Sequence, residues 1–159
     1  MAQNITGVKE STPNPSITFR IFKAAVAITK GNVLRHMTSG DSGLGGYSTS
    51  YYGMSVAVGA ANTIPVGVAM STVAAAAAAA GAFLKVQTGG LGQQDLTTGG
   101  SADAGTLLYT GAAGATAESA LGSITDGDIV LGTLGIALAA DSSTTLAAGN
   151  YVLFPMGAW

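Results

Sequence analysis

The chain contains no cysteine, so disulfides, thiolate metal sites and cysteine nucleophiles are excluded and stability must come from packing or assembly. Charge is scarce too: 9% of residues are Asp, Glu, Lys or Arg, against roughly 25% in an ordinary soluble domain. At a net charge of -2 little repulsion keeps copies apart, which suits a protein held in an assembly. A single histidine, His36, and scattered acids offer neither a zinc ligand set nor a paired-carboxylate site, and no cofactor is expected. No run of 18 apolar residues occurs and residues 1–15 are polar, so neither a membrane span nor a secretory leader is expected. A chain of 159 residues is long enough to bury a core, as one domain or as two small ones sharing it.

The charges that are present are unevenly placed. Up to Arg35 the chain carries Lys9, Arg20, Lys23, Lys30 and Arg35 against Glu10 alone. Beyond it only Lys85 faces Asp41, Asp95, Asp103, Glu118, Asp126, Asp128 and Asp141. Cations spread so thinly do not make a nucleic-acid face, and a solvated arm or one docked on an acidic protein partner is the better reading. The string Gly40-Asp41-Ser42-Gly43 matches the nucleophile loop of chymotrypsin-like proteases. The lone histidine lies only a few residues before that serine, and the chain is too short for a double barrel, so no triad is expected. Residues 43–46, Gly-Leu-Gly-Gly, lack the Lys-Ser/Thr of a phosphate loop, and Asp126-Gly127-Asp128 is a turn without the further ligands of a calcium loop. The sequence does not read as an enzyme.

Its organising feature is an internal duplication. With Gly67 placed on Gly135, "GVAMSTVAAAAAAAGAFLKVQTGG" lies over "GIALAADSSTTLAAGNYVLFPMG", and Gly81 and Gly149 coincide. Upstream, Gly31 and Gly105 each precede an apolar strand, and the first copy carries six additional residues before its second anchor. The repeats span about 22–90 and 100–157. The counterpart of the alanine run is rich in Ser and Thr, which no helix prefers strongly. Residues 74–80 are therefore expected to form a connection with room for one helical turn, sharing a backbone with the later copy and closed by Gly81 in a left-handed conformation. A helix over the whole run is the alternative, since alanine is the best helix former.

The rest reads as strands. Alternation at Ala24, Val26 and Ile28 and at Val66, Val68 and Met70, with short apolar runs at 107–109, 129–131 and 151–154, argues for an all-β barrel or sandwich built from two pseudo-repeated halves. Pro65 and Pro155 belong at strand starts, edges or bulges. Gly31, Gly67, Gly81, Gly105, Gly135 and Gly149 are the expected structural turns. In residues 17–28 the apolar positions shift from odd (Ile17, Phe19, Ile21) to even (Phe22, Ala24, Val26, Ile28), which predicts a bulge or change of sheet between Ile21 and Ala24. Residues 1–21, with Pro13 and Pro15, are read as an extended arm and 22–159 as the body. Arm residues Pro13, Pro15, Ile17, Phe19, Arg20 and Ile21 are the expected contacts to a partner or a neighbouring protomer. The Gly-rich segment 38–54, with Tyr47, Tyr51 and Tyr52, has the composition of an adaptable recognition loop.

Taken in order, Lys30-Gly31, Gly67-Val68-Ala69, the alanine run to Gly81, "AGTLLYT" and "GDIVLGTLGIALAADSS" resemble the pattern of small tailed-phage capsid decoration, or cement, proteins over about residues 22–157. The tyrosine loop and the long N-terminal arm depart from that pattern. The resemblance implies a β-rich, often trimeric structural protein, made in the host cytoplasm and bound outside an icosahedral head. There it would clamp neighbouring major capsid protein subunits, with itself as the other partner and with neither nucleic acid nor membrane. A tail-tube, connector or fibre component, or a secreted β-rich binding module, would share the composition.

Overall fold

The computed structural model describes residues 17–37, 55–58, 63–110, 116–119, 133–142 and 144–155. Their order is β1 (Thr18–Ala24), β2 (Val33–His36), β3 (Ser55–Val58), β4 (Pro65–Ala69), α1 (Ala75–Ala79), β5 (Phe83–Leu91), β6 (Leu96–Thr97), β7 (Leu107–Thr110), β8 (Thr116–Ser119), β9 (Thr133–Ala137), β10 (Thr145–Leu146) and β11 (Tyr151–Leu153). The protein is all-β. Nine strands form one sheet in the order β1-β3-β2-β4-β5-β11-β9-β7-β8, and β6 pairs separately with β10. Because β1 also pairs with β5, the first five strands of that order close into a ring, and the choice between barrel and sandwich falls to a barrel-like sheet.

The duplication is written into the strand order, since β3-β2-β4-β5 is mirrored by β8-β7-β9-β11. Registers agree residue by residue. Leu34 opposes Gly67 and Leu108 opposes Gly135, and in each pair the register then slips, between Leu34 and Arg35 and between Leu108 and Tyr109. Gly31 N–H donates to the Ala69 carbonyl at 2.9 Å and Gly105 N–H to that of Ala137 at 2.8 Å. Isolated bridges Ile28–Val73 and Ala102–Asp141 repeat the match once more. The slip beside Gly67 turns the strand so that Val66 and Ala69 enter one apolar cluster while Val68 enters the other. Both faces of β4 are thereby buried, and its five residues read as an unbroken apolar run.

Gly67 and Gly135, expected at turns, lie inside β4 and β9 instead, where glycine is required at the slip for lack of space. A Cβ on Gly67 would overlap the Gln87 carbonyl, and one on Gly135 the Val152 carbonyl, so β4 can approach β5 and β9 can approach β11 only where no side chain intervenes. Gly149 differs: nothing lies within 4 Å of its would-be Cβ, and it is fixed by φ +84°.

The alanine run and its counterpart diverge. In the first copy it forms α1, more than one turn, closed by a Schellman pair in which Ala82 N–H donates to Ala77 and Gly81 N–H to Ala78. No side chain caps its start, and Ala78 alone is buried, so packing of that one face holds a helix too short to stand alone. In the second copy the β-branched pair Thr144 and Thr145 leads into β10 on β6 instead. The expectation of a shared backbone therefore fails across the run, although Gly81 and Gly149 both close it at φ +84°. Ala69 opposes Val86 whereas Ala137 opposes Tyr151, so the strand after each glycine is also offset between copies.

A second correction concerns β1. No bulge lies between Ile21 and Ala24, because Phe19 to Lys23 pair regularly with Gln87 to Phe83 and the only slip is between Thr18 and Phe19. The phase shift in the sequence arises because both faces of this strand are apolar: Phe22 and Ala24 enter the core and Phe19 and Ile21 point out. Nor does the strand run on to Ile28; the chain bends after Ala24, and Ile28 makes its bridge alone. The proposed strand at 129–131 lies outside the described residues. Pro65 opens β4, as expected.

β5 belongs to both halves. On one edge Val86 and Gln87 pair with β4, on the other with β1, and Gly90 and Leu91 then pair with β11. Gln87, fully buried at this crossing, donates from Nε2 to the carbonyls of Gly89 (3.2 Å) and Leu91 (2.7 Å), and its Oε1 accepts from Gln93 N–H at 2.9 Å. Gly92 continues the path under the Tyr151 ring, and its N–H donates to the Tyr151 carbonyl.

Glycine and tyrosine substitutions test this packing. Gly135→Ala forces a backbone overlap and should cost about 3 kcal/mol in denaturant unfolding, whereas Gly149→Ala meets only the left-handed penalty of about 1 kcal/mol. Tyr151, buried and donating to the Gln94 carbonyl, has its phenol pKa raised above the ordinary 10.0, chiefly by desolvation. With the folded value above the unfolded one, this stabilisation is intact below about pH 10 and is lost as pH rises further. Tyr151→Phe should cost about 1 kcal/mol at pH 7 and flatten the decline of stability above pH 10, read from unfolding midpoints across pH.

Candidate interaction surface

Regular pairing of β1 with β5 puts alternate residues of both strands on one outward face. On β1 these include Phe19, 37% exposed, and Ile21, 66% exposed; on β5 they are Phe83, 65% exposed, and Lys85. Lys85 opposes Ile21, and Lys23 opposes Phe83, so apolar and cationic side chains alternate across the pair. The Lys85 ammonium sits 3.8 Å from the Phe19 ring centre, a cation–π contact that holds the two as one surface. Lys23 runs along the other side, its Cε 3.0 Å from the position a Cβ on Gly81 would take. Arg20, also exposed, lies on the alternate face of β1.

The opposite face of the same strand is anchored. Phe22, buried in the first apolar cluster, meets the His36 ring edge-on with centroids 6.0 Å apart. Desolvation lowers the His36 pKa below 6.5. His36 is the last residue of β2, as an ordinary polar strand-end residue would be, and Arg35 Nη1 donates to its carbonyl at 3.1 Å. Among the described residues no three His, Asp or Glu side chains lie together to hold a metal ion.

The sequence and the structure divide the candidate residues differently. Phe19, Arg20 and Ile21, read as part of a free arm, are strand residues of the barrel, and their backbone is engaged with β5 of the same chain. The sheet therefore begins before the arm-to-body boundary placed at residue 21. Ile17 is half-buried just ahead of β1. Pro13, Pro15, Tyr47, Tyr51 and Tyr52 lie outside the described residues, as do Ser42, Asp126 and Asp128. Phe83 and Lys85 were not singled out by sequence reasoning. Their signal was the strand alternation Phe83, Lys85 against buried Leu84, Val86, which places a phenylalanine on the solvent side.

No protein-family model matches the sequence, and no curated protein matches it. Among solved structures the fold is similar to the N base of the head fibre protein gp8.5 of bacteriophage phi29. The TM-score is 0.52 and the identity 18%, over 87% of this chain and 98% of that one. At that identity the likeness shows a common fold, a β scaffold that the two sequences reach with few residues in common.

Since the outward face of β1 contributes little to the core, Ile21→Ser or Phe83→Ser should change the unfolding free energy by no more than about 0.5 kcal/mol. Phe22→Ala, one residue along, should cost about 3 to 5 kcal/mol. Equal losses at Ile21 and Phe22 would mean the face is not free.

Proposed function

We propose that this protein is a structural component of a phage head, bound to the outer surface of the capsid and working by contact alone. The observation that carries the reading is the fold match, which spans 98% of the head fibre N base of phage phi29. Composition supports it independently, since few charges and many small residues suit a permanently assembled protein. The finer role proposed is that of a decoration or cement protein with the major capsid protein and further copies of itself as partners, a homotrimer clamping neighbouring capsomers. A second reading, the base of a head-attached fibre, is favoured by the role of the matched protein itself.

Magnitudes indicate how such a protein would hold. Exposed ion pairs contribute about 0 to 1 kcal/mol each, whereas burying an isoleucine or phenylalanine contributes about 1.5 to 3 kcal/mol. Apolar contacts repeated over several copies then dominate, because linked sites act at high effective concentration. Purified protein mixed with heads lacking it should sediment with them, and should stay bound at about 1 M salt, where the Debye length is near 3 Å. Failure to co-sediment would remove the head-surface reading, and release by moderate salt would replace apolar contact with electrostatics. A chain starting at residue 17, with β1 intact, should lose occupancy on such heads, and full retention would remove residues 1–16 from the mechanism.

A further inference from the structure

The two halves differ in the sign of their charges. First-half strands close a ring with β5, and the second-half strands follow from β11 at its last residues. Among the described residues from 17 to 94 the ionic side chains are Arg20, Lys23, Lys30, Arg35 and Lys85, all cationic. From residue 95 onward the sequence has Asp95, Asp103, Glu118, Asp126, Asp128 and Asp141 and no Lys or Arg. Each half also exposes apolar side chains beside its charges. In the first half these are Phe19, Ile21 and Phe83 with Lys23 and Lys85; in the second, Leu138 is 50% exposed. Leu138 directly follows β9, three residues before Asp141, and the Ala102–Asp141 bridge brings Asp103 to the same end of the strand.

We infer that the apolar–cationic face of β1 and β5 is covered by a second copy of this chain, whose Leu138–Asp103–Asp141 corner packs against it. The two patches are complementary in charge and each has an apolar centre, but they are different surfaces. Contact between them is therefore heterologous, and repeated copies form a ring where the rotation between them closes and a filament where it does not. Apolar burial supplies the affinity and the opposite charges set partner and orientation. The inference rests on the proposed self-association and deepens it by naming the two faces.

The test uses the isolated 159-residue chain, without heads, so that its outcome is separate from head binding. Mass is read by light scattering on a sizing column, with circular dichroism to confirm folding. The wild type should be an oligomer, and both Ile21→Asp and Leu138→Asp should shift it at least tenfold in concentration toward the folded monomer. Ile64→Asp, at an exposed residue outside β1 and β5, should leave the mass unchanged. Lys85→Glu should weaken the oligomer and Lys85→Glu with Asp103→Lys should restore it. A monomeric wild type, an oligomer indifferent to Ile21→Asp or Leu138→Asp, or a double variant no better than Lys85→Glu would overturn the assignment. Should the oligomer stand while heads are not bound, it is the head-surface reading that falls.

Discussion

The fold depends on one strand being able to serve two halves. β5 closes the first five-strand ring through β1 and then, in its last residues, becomes the edge on which β11 and the second half are laid. This is possible only because backbone meets backbone at close range at Gly67 and Gly135, and because Gly92 leaves room for the ring of Tyr151. The buried amide of Gln87 then satisfies the backbone groups exposed where the strand passes from one neighbour to the next. A buried polar side chain at that point would be costly if unpaired; fully bonded, it fixes the crossing.

Most of this architecture was legible in the residues. The glycine pairs at equal spacing revealed the duplication because a left-handed turn and a close backbone approach both exclude side chains, and such constraints recur wherever the backbone recurs. What the pattern could not show was register after the alanine run. There the two copies use different local chemistry, a poly-alanine turn against β-branched threonines, and each takes the backbone its own composition favours. Copies of a motif keep the anchors that geometry demands and not the connection between them.

The candidate surface was half legible for a related reason. Apolar residues on both faces of residues 17–24 looked like a slipped register, because a half-buried strand ordinarily has one apolar face. In the structure the pairing is regular and the second apolar face is simply outside, sharing that side with Phe83 and Lys85. A low-charge protein that keeps phenylalanine and isoleucine in solvent beside lysines has a surface suited to contact. Short strands such as β3, β8, β6 and β10 carried no periodic signal long enough to read.

The central proposal is that this β scaffold works by adhesion on the outside of a virus shell. A cryo-electron microscopy map of the native particle bears on it most directly. Density accommodating the two-halved barrel on the outer face of the head, its β1–β5 side covered, is the expected result; finding it in the tail tube, or nowhere on the particle, would contradict the claim.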